Sequence, residues 1–306
     1  MSDIFINDDF LNSVFRVAHT SIYPYERDIM EFYPSSAGAN TRSGEHIGAC
    51  TRANWYDKMG WPGEPTDPAG LVIMDSGTYL GKMLSDWFQK ANVSVVPNAI
   101  EGELRVRICR ETKKGNKYFI SGRIDQIAYE SNNIPIAYEF KTVWSSNKAN
   151  RVIGGGRDTP APDPKNLIQT AIYADYCRRY GILDWRLTYL YIEGKRGRSY
   201  NITVDSYKKI YVDGKEQDFT IDSIYECYDL LADSIASNTP PPQEGKAIYT
   251  VEELTEMAAL GNLTKKQREA AAKDKPVLVP WSPCTYCAFI EPCWGKEIAA
   301  KIREAE

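Results

Sequence analysis

The sequence predicts a chain that mixes strands with helices, and three stretches carry that prediction. Residues 120–143 alternate apolar and polar positions on either side of a polar turn at 130–133, the pattern of two paired strands. Residues 75–88 and 166–177 instead repeat their apolar residues at helical spacing. With 306 residues, 43% hydrophobic and 25% charged, the composition is that of a soluble globular protein, long enough for one elaborated domain or two small ones. The net charge of −4 means that a nucleic-acid partner has to be met by a local basic patch. No apolar run is long enough to span a membrane, and the N-terminus lacks the charged-then-apolar pattern of a secretory signal, so the chain reads as intracellular. In that compartment its seven cysteines are expected as metal ligands or buried thiols rather than disulfides.

In order along the chain, residues 43–56 read as a helix opening after a Ser43 cap, with Cys50 inside it. The Pro/Gly-rich stretch 61–68 breaks the chain. The helix over 75–88 follows, its apolar Leu80, Met83, Leu84, Trp87 and Phe88 read as core. Residues 103–110 alternate as a half-buried strand, and 113–117 form a hairpin turn. Residues 145–164 read as a long basic loop with a Gly154–Gly156 run. After the helix over 166–177 come a strand over 185–193, a basic hairpin tip at 194–198 and a return strand at 201–204. Helices are expected over 221–236 and near 251–273, before a cysteine-rich tail.

The chemistry is concentrated on the strand pair. Side chains alternate faces along a strand, so Glu139 and Lys141 point one way and Tyr138 and Phe140 the other. Pairing of the two strands brings Asp125 close to Glu139. Asp, Glu and Lys on adjacent strands ordinarily form a solvated face with a cross-strand ion pair. Here the neighbours Ile124, Ile127, Tyr138 and Phe140 are apolar or aromatic, which argues for burial. Two carboxylates beside a lysine suit a hard cation such as Mg²⁺ or Mn²⁺.

Cys284, Cys287 and Cys293 form C-x2-C-x5-C, a spacing that lets three thiolates converge on one centre. Cys50 is the natural fourth ligand. Such a site is compatible with zinc or an iron–sulfur cluster. Cys109, Cys177 and Cys227 sit in apolar-periodic segments and read as structural.

The ordered set Gly122-Arg-Ile-Asp125, Glu139-Phe-Lys141 and Gln169-x-x-x-Tyr173 resembles the PD-(D/E)XK nuclease superfamily, RecB-type branch. Cys50 with Arg52 and Tyr56 ahead of that core, and the cysteine trio behind it, resembles its iron–sulfur members, among them the CRISPR-associated "Cas-four" and AddB nuclease domains and phage relatives. The resemblance implies an α/β fold: a restriction-endonuclease-like core with a mixed central sheet flanked by helices, its ends joined by a four-cysteine cluster. It implies one elaborated nuclease domain over 1–306, with an N-terminal helical part (1–98), a catalytic core (99–205) and a C-terminal helical part (206–306). One departure stands out. The family's helix before the core runs G-x-x-x-H, whereas Gly77 is followed by Gly81, and the two histidines, His19 and His46, lie elsewhere. Water or Asp86 is the expected substitute.

By that resemblance Asp125, Glu139 and the Phe140 carbonyl hold Mg²⁺ or Mn²⁺, Lys141 orients water, and Gln169 and Tyr173 support it. Cys50, Cys284, Cys287 and Cys293 hold a 4Fe-4S cluster. Arg123, Lys148, Arg151, Arg157, Lys195, Arg196 and Arg198, with the 113–117 turn, are expected to contact DNA phosphates, and Trp144 to stack on bases. The expected activity is a metal-dependent DNA exonuclease acting in the host or cell cytoplasm on single strands or ends, in recombination, repair, phage DNA metabolism or CRISPR adaptation. The alternatives are a catalytically weak DNA-binding subunit of a helicase or integrase complex, and a zinc-stabilised protein-interaction module; the expected protein partners are a helicase, recombinase or integrase.

Overall fold

The computed structural model describes residues 28–63, 68–91, 104–129, 134–156, 159–244, 255–256, 284 and 287–304. Strand β1 (Glu31–Phe32) and the antiparallel pair β2 (Gly38–Asn40) and β3 (His46–Gly48) open the described chain. Helix α1 (Thr51–Lys58) starts later than the sequence suggests. Ser43 bonds Thr41 in a turn ahead of β3, so it caps nothing. Cys50 is the cap, its sulfur accepting from the Ala53 N–H at 3.4 Å. Helix α2 (Pro68–Lys90), strand β4 (Leu104–Glu111) and strand β5 (Lys117–Ile124) follow, the strands joined through the expected turn.

The chain then changes sheets. Strand β5 belongs to a three-stranded sheet, ordered β1-β5-β4. Asp125 is the one-residue break, and strand β6 (Gln126–Tyr129) starts at the edge of a second sheet. Strand β7 (Pro135–Val143) pairs with β6 in the register Gln126↔Tyr138, which sets Asp125 beside Glu139 as the alternation predicts. The turn residues 130–133 lie outside the described residues.

Helix α3 (Ser146–Val152), capped by Ser145, occupies part of what reads as loop in the sequence, and Arg157 falls outside the described residues. Helix α4 (Pro164–Cys177) returns the chain to strand β8 (Asp184–Tyr191), which runs parallel to β7. Strand β9 (Arg196–Val204) is longer than expected, so Arg196 and Arg198 are strand residues rather than a loop tip. Strands β10 (Lys209–Val212) and β11 (Lys215–Thr220) complete a six-stranded sheet in the order β11-β10-β9-β8-β7-β6, where only β7 and β8 are parallel. Their turn, Asp213-Gly214, has φ of 49° and 78°, the left-handed pair that Asp-Gly favours in a tight hairpin.

Helix α5 (Ile221–Ala236) spans the predicted residues, capped by Thr220 through a reciprocal bond with Ser223. The short helices α6 (Ile290–Trp294) and α7 (Lys296–Glu304) close the described chain. The expected helix near 251–273 lies outside the described residues apart from a helical Thr255–Glu256. The whole is a mixed α/β architecture of mixed sheets flanked by helices. Among the described residues no helix is long and apolar enough to cross a membrane.

Helix α4 lies deepest. Leu167 to Ala174 are all buried, including the polar Gln169 and Thr170. This helix fits against β5 because Gly122 has no side chain. A Cβ there would stand 2.5 Å from the Tyr173 hydroxyl oxygen and 2.9 Å from its ring. Helix α2 differs from its expectation as core. Phe88 packs on Tyr138 and Phe140, but Trp87 is 55% exposed and Tyr79 75%.

Gly122→Ala is expected to destabilise the protein by about 1–3 kcal/mol, because the added methyl displaces a fully enclosed tyrosine. Urea unfolding checks this, and an unchanged midpoint contradicts the packing.

Candidate active site

The centre of the site is a triangle of hydrogen bonds. Lys141 Nζ lies 2.7 Å from Glu139 Oε1. Lys141 also donates to Gln169 Oε1 at 2.9 Å, and Gln169 Nε2 donates to Glu139 Oε1 at 2.9 Å. Strand β7 delivers the acid and the lysine to one face by its two-residue alternation, and α4 brings the amide down on them. Sequence alone reads Gln169 and Tyr173 as ordinary helix surface apart from the family resemblance. Both are buried. Tyr173 stacks on Trp185 at 6.1 Å, and burial, then the Glu139 carboxylate, push its hydroxyl up against an opposing pull from Gln169.

Asp125 enters from the sheet break. Its Oδ2 accepts the Phe140 N–H at 2.7 Å, which fixes the acid against the backbone between Glu139 and Lys141. Burial pushes the Glu139 carboxyl up, against the pull of the Lys141 ammonium. For Lys141 burial pushes down, but the carboxylates of Glu139 and Asp125 outweigh it and hold the ammonium above the ordinary lysine range. Lys141 is therefore a cation at neutral pH. It cannot act as a base there, though it can orient water and offset negative charge. Its side chain is 24% exposed, so it reaches the surface while Glu139 does not.

Glu139 Oε2 is buried with no hydrogen-bond partner among the described residues. A bare carboxylate oxygen in the interior is costly. A hard cation held by Asp125, Glu139 and the Phe140 carbonyl fits the donor set and would satisfy that oxygen. Among the described residues no group of three or more His, Cys, Asp or Glu side chains is placed to hold a metal ion. Helix α2 packs on the Tyr138–Phe140 face, opposite Glu139 and Lys141, so neither Gly81 nor the exposed Asp86 is brought to the pair.

The four cysteines are not shown as a cluster. Cys284 is buried, and the Cys287 and Cys293 thiols are pushed up, first by burial. Cys284 adds to both shifts. Cys50 faces the Glu244 carboxyl, which adds to the upward push of burial on its thiol. The two ends of the described chain meet nonetheless. The Tyr56 hydroxyl donates to the Pro292 carbonyl at 2.9 Å, and its ring stacks on Phe289. Gln243 donates to the Cys293 carbonyl at 2.8 Å, and Arg52 to that of Pro241 at 2.6 Å. Cys177 and Cys227 are buried as expected, whereas Cys109 is exposed, a correction to its core reading.

The expected phosphate contacts divide. Arg123, Arg151 and Lys195 are exposed. Lys148 pairs with Asp163 at 3.3 Å. Arg196 is a strut, donating to Gly154 O at 2.7 Å and Asn150 Oδ1 at 2.8 Å, and Arg198 lies over the Tyr200 ring. In the 113–117 turn, Lys114 and Lys117 face Asp233 and Glu111. Trp144 is 37% exposed. Sequence reasoning passed over Lys165, one turn before Gln169 on α4. Burial of its stem, then the like charges of Lys141 and Lys148, push its ammonium down against the pull of Asp163, while much of the residue stays in solvent. The spacing Lys165-x-x-x-Gln169-x-x-x-Tyr173 was the available signal.

No protein-family profile and no curated relative matches the chain. Among solved structures, it is similar to the crystal structure of SSO0001, at 15% identity and a TM-score of 0.45, over 94% of this chain and 96% of that one. A likeness that distant carries no statement about activity.

Gln169→Leu removes two hydrogen bonds to charged groups and is expected to cost about 2 kcal/mol of metal-free stability. Chemical denaturation in EDTA measures it, and an unchanged stability would mean that the amide does not bridge the pair.

Proposed function

We propose that the protein is a metal-dependent deoxyribonuclease of the PD-(D/E)XK type, acting as an exonuclease on single-stranded DNA or DNA ends. The observation that carries the reading is the enclosed Glu139–Lys141–Gln169 triangle with Asp125 on the adjoining backbone and one carboxylate oxygen left unpartnered. A structural ion pair on a sheet does not need a second acid at a sheet break, nor an amide bridging its two members.

In this reading Asp125, Glu139 and the Phe140 carbonyl hold Mg²⁺ or Mn²⁺, which when bound supplies Lewis-acid charge to the scissile phosphate. Lys141 orients the water and offsets charge on the phosphate. Gln169 holds Lys141 in place, and Tyr173, one turn further along α4, supports it. Cys50, Cys284, Cys287 and Cys293 bind a 4Fe-4S cluster, with zinc as the competing occupant. Burial pushes the Cys50, Cys287 and Cys293 thiols up, so a metal that takes them releases protons. DNA is the proposed partner, with a helicase, recombinase or integrase supplying any unwinding.

A second reading has one observation in its favour. Helix α2 carries Gly81 where a third ligand is expected, and it covers the face opposite the acid pair. The protein would then be a DNA-binding subunit with little cleavage of its own.

Anaerobically purified protein is expected to shorten end-labelled DNA with Mn²⁺ or Mg²⁺ but not with EDTA. Asp125→Ala and Lys141→Ala are expected to lose this activity with folding retained. Cleavage by Lys141→Ala contradicts the nuclease reading, and DNA binding without cleavage by the wild type favours the second. The same preparation is expected to be brown and to contain iron, with both lost in Cys287→Ser. Stoichiometric zinc without iron would replace the cluster.

A further inference from the structure

We infer that the solvent face of helix α2 is the contact surface of a two-fold dimer, in which α2 of one copy of the chain packs antiparallel on α2 of a second about Met83. The inference goes beyond the nuclease reading and does not depend on it.

Helix α2 has 23 residues, so it is roughly 34 Å long at 1.5 Å per residue. One side of it lies on β7. Phe88 packs on Tyr138 and Phe140, and a Cβ at Gly77 would stand 3.2 Å from Thr142 Oγ1. Away from that side, Val72, Tyr79, Met83 and Trp87 form a row that spans an arc of about 80° at helical pitch. Val72, Tyr79 and Trp87 are exposed, and Met83 is half-buried. Apolar side chains scattered singly over a surface need no account, but a row of them along one helix marks an interaction surface. Tyrosine, tryptophan and methionine are also the residue types enriched where two proteins meet.

The charges beside the row select the occupant. Lys82 and Asp86 are exposed on the same flank of it. They stand one turn apart on the helix, yet they form no ion pair with each other. Lysine ahead of the acid is the weaker order for such a pair. A flank with one charge of each sign is matched by the same signs in reverse order, and α2 run antiparallel supplies them. In an antiparallel pair each flank meets its own counterpart. A two-fold axis at Met83 sets Tyr79 of each copy against Trp87 of the other. It also leaves Lys82 of each copy only about 3 Å along the helix from Asp86 of the other. Every contact is then made twice, as a self-complementary interface requires. The mixed charge disfavours other occupants. A lipid-facing helix collects lysine and arginine on its polar face, and a nucleic-acid track needs an excess of cations.

The test is sedimentation velocity of the full-length protein over a concentration series. The wild type is expected to pass from monomer to dimer between about 1 and 100 μM, the strength of a small interface. Trp87→Glu is expected to stay monomeric throughout. Lys82→Asp and Asp86→Lys are each expected to weaken the dimer about ten-fold, because each turns two attractive contacts into repulsive ones. The double variant Lys82→Asp/Asp86→Lys is expected to recover the wild-type dissociation constant, since its reversed signs still match, and damage to the fold cannot produce that recovery. A wild type that stays monomeric, a dimer of unchanged strength in Trp87→Glu, or a double variant no stronger than the single ones overturns the inference. Cosedimentation of the wild type with phosphatidylserine vesicles without self-association also overturns it, since the helix would then face a membrane. DNA cleavage is assayed separately: cleavage by a protein that does not dimerise refutes only the dimer, and a dimer that does not cleave refutes only the nuclease reading.

Discussion

A carboxylate withdrawn from water has to be answered, and the answer to Glu139 organises much of this protein. The residue is 1% exposed. One of its oxygens meets Lys141 and Gln169 together. That arrangement requires β7 to point odd-numbered residues at α4, and α4 to lie close enough for an amide to reach across. The closeness in turn requires Gly122, because any side chain there would collide with Tyr173. A strand, a helix and a glycine on a second sheet are thus tied to one buried acid. The other oxygen has no partner among the described residues, and the proposed metal chemistry grows from that vacancy of hydrogen bonding.

The ends of the described chain add a second constraint. Tyr56 joins α1 to the C-terminal segment through the Pro292 carbonyl, Arg52 joins α1 to the segment after α5 through that of Pro241, and Gln243 joins that segment to the Cys293 carbonyl. The Tyr56 and Arg52 bonds bridge 236 and 189 residues of sequence, and the Tyr56 and Gln243 bonds hold the cysteine-bearing segment against the core. Thr51 N–H donates to the Glu244 carboxylate at 2.6 Å, so the helix that carries Cys50 at its cap is also tied from the segment after α5. In the proposed protein a metal cluster would reinforce a clamp whose polar parts already exist without it.

Much of this was legible in the sequence where a local pattern and its tertiary use agree. The alternation at Glu139 and Lys141, the strand partner bringing Asp125, and helix α5 all follow from period and capping. The sequence misled where the decisive interaction was distant. Ser43 looks like a cap, but the chain needs β3 to pair with β2 first, and Cys50 takes the role. Apolar spacing marks α2 as a helix correctly, yet cannot say that Trp87 and Tyr79 stay in solvent. Arg196 reads as a free cation in a basic run, and only the fold turns it toward Gly154 and Asn150. The hairpin of β10 and β11 was announced by Asp213-Gly214 and passed over.

The central claim is that Glu139 and Asp125 together take a divalent cation. Calorimetric titration of Mn²⁺ into metal-free protein and into Glu139→Gln tests it most directly, without reliance on substrate. The account predicts stoichiometric binding by the wild type that is lost or weakened at least about ten-fold in the variant, since a neutral amide cannot replace the missing charge. Equal binding by both proteins would contradict it, and would leave the buried pair as a structural bridge between β7 and α4.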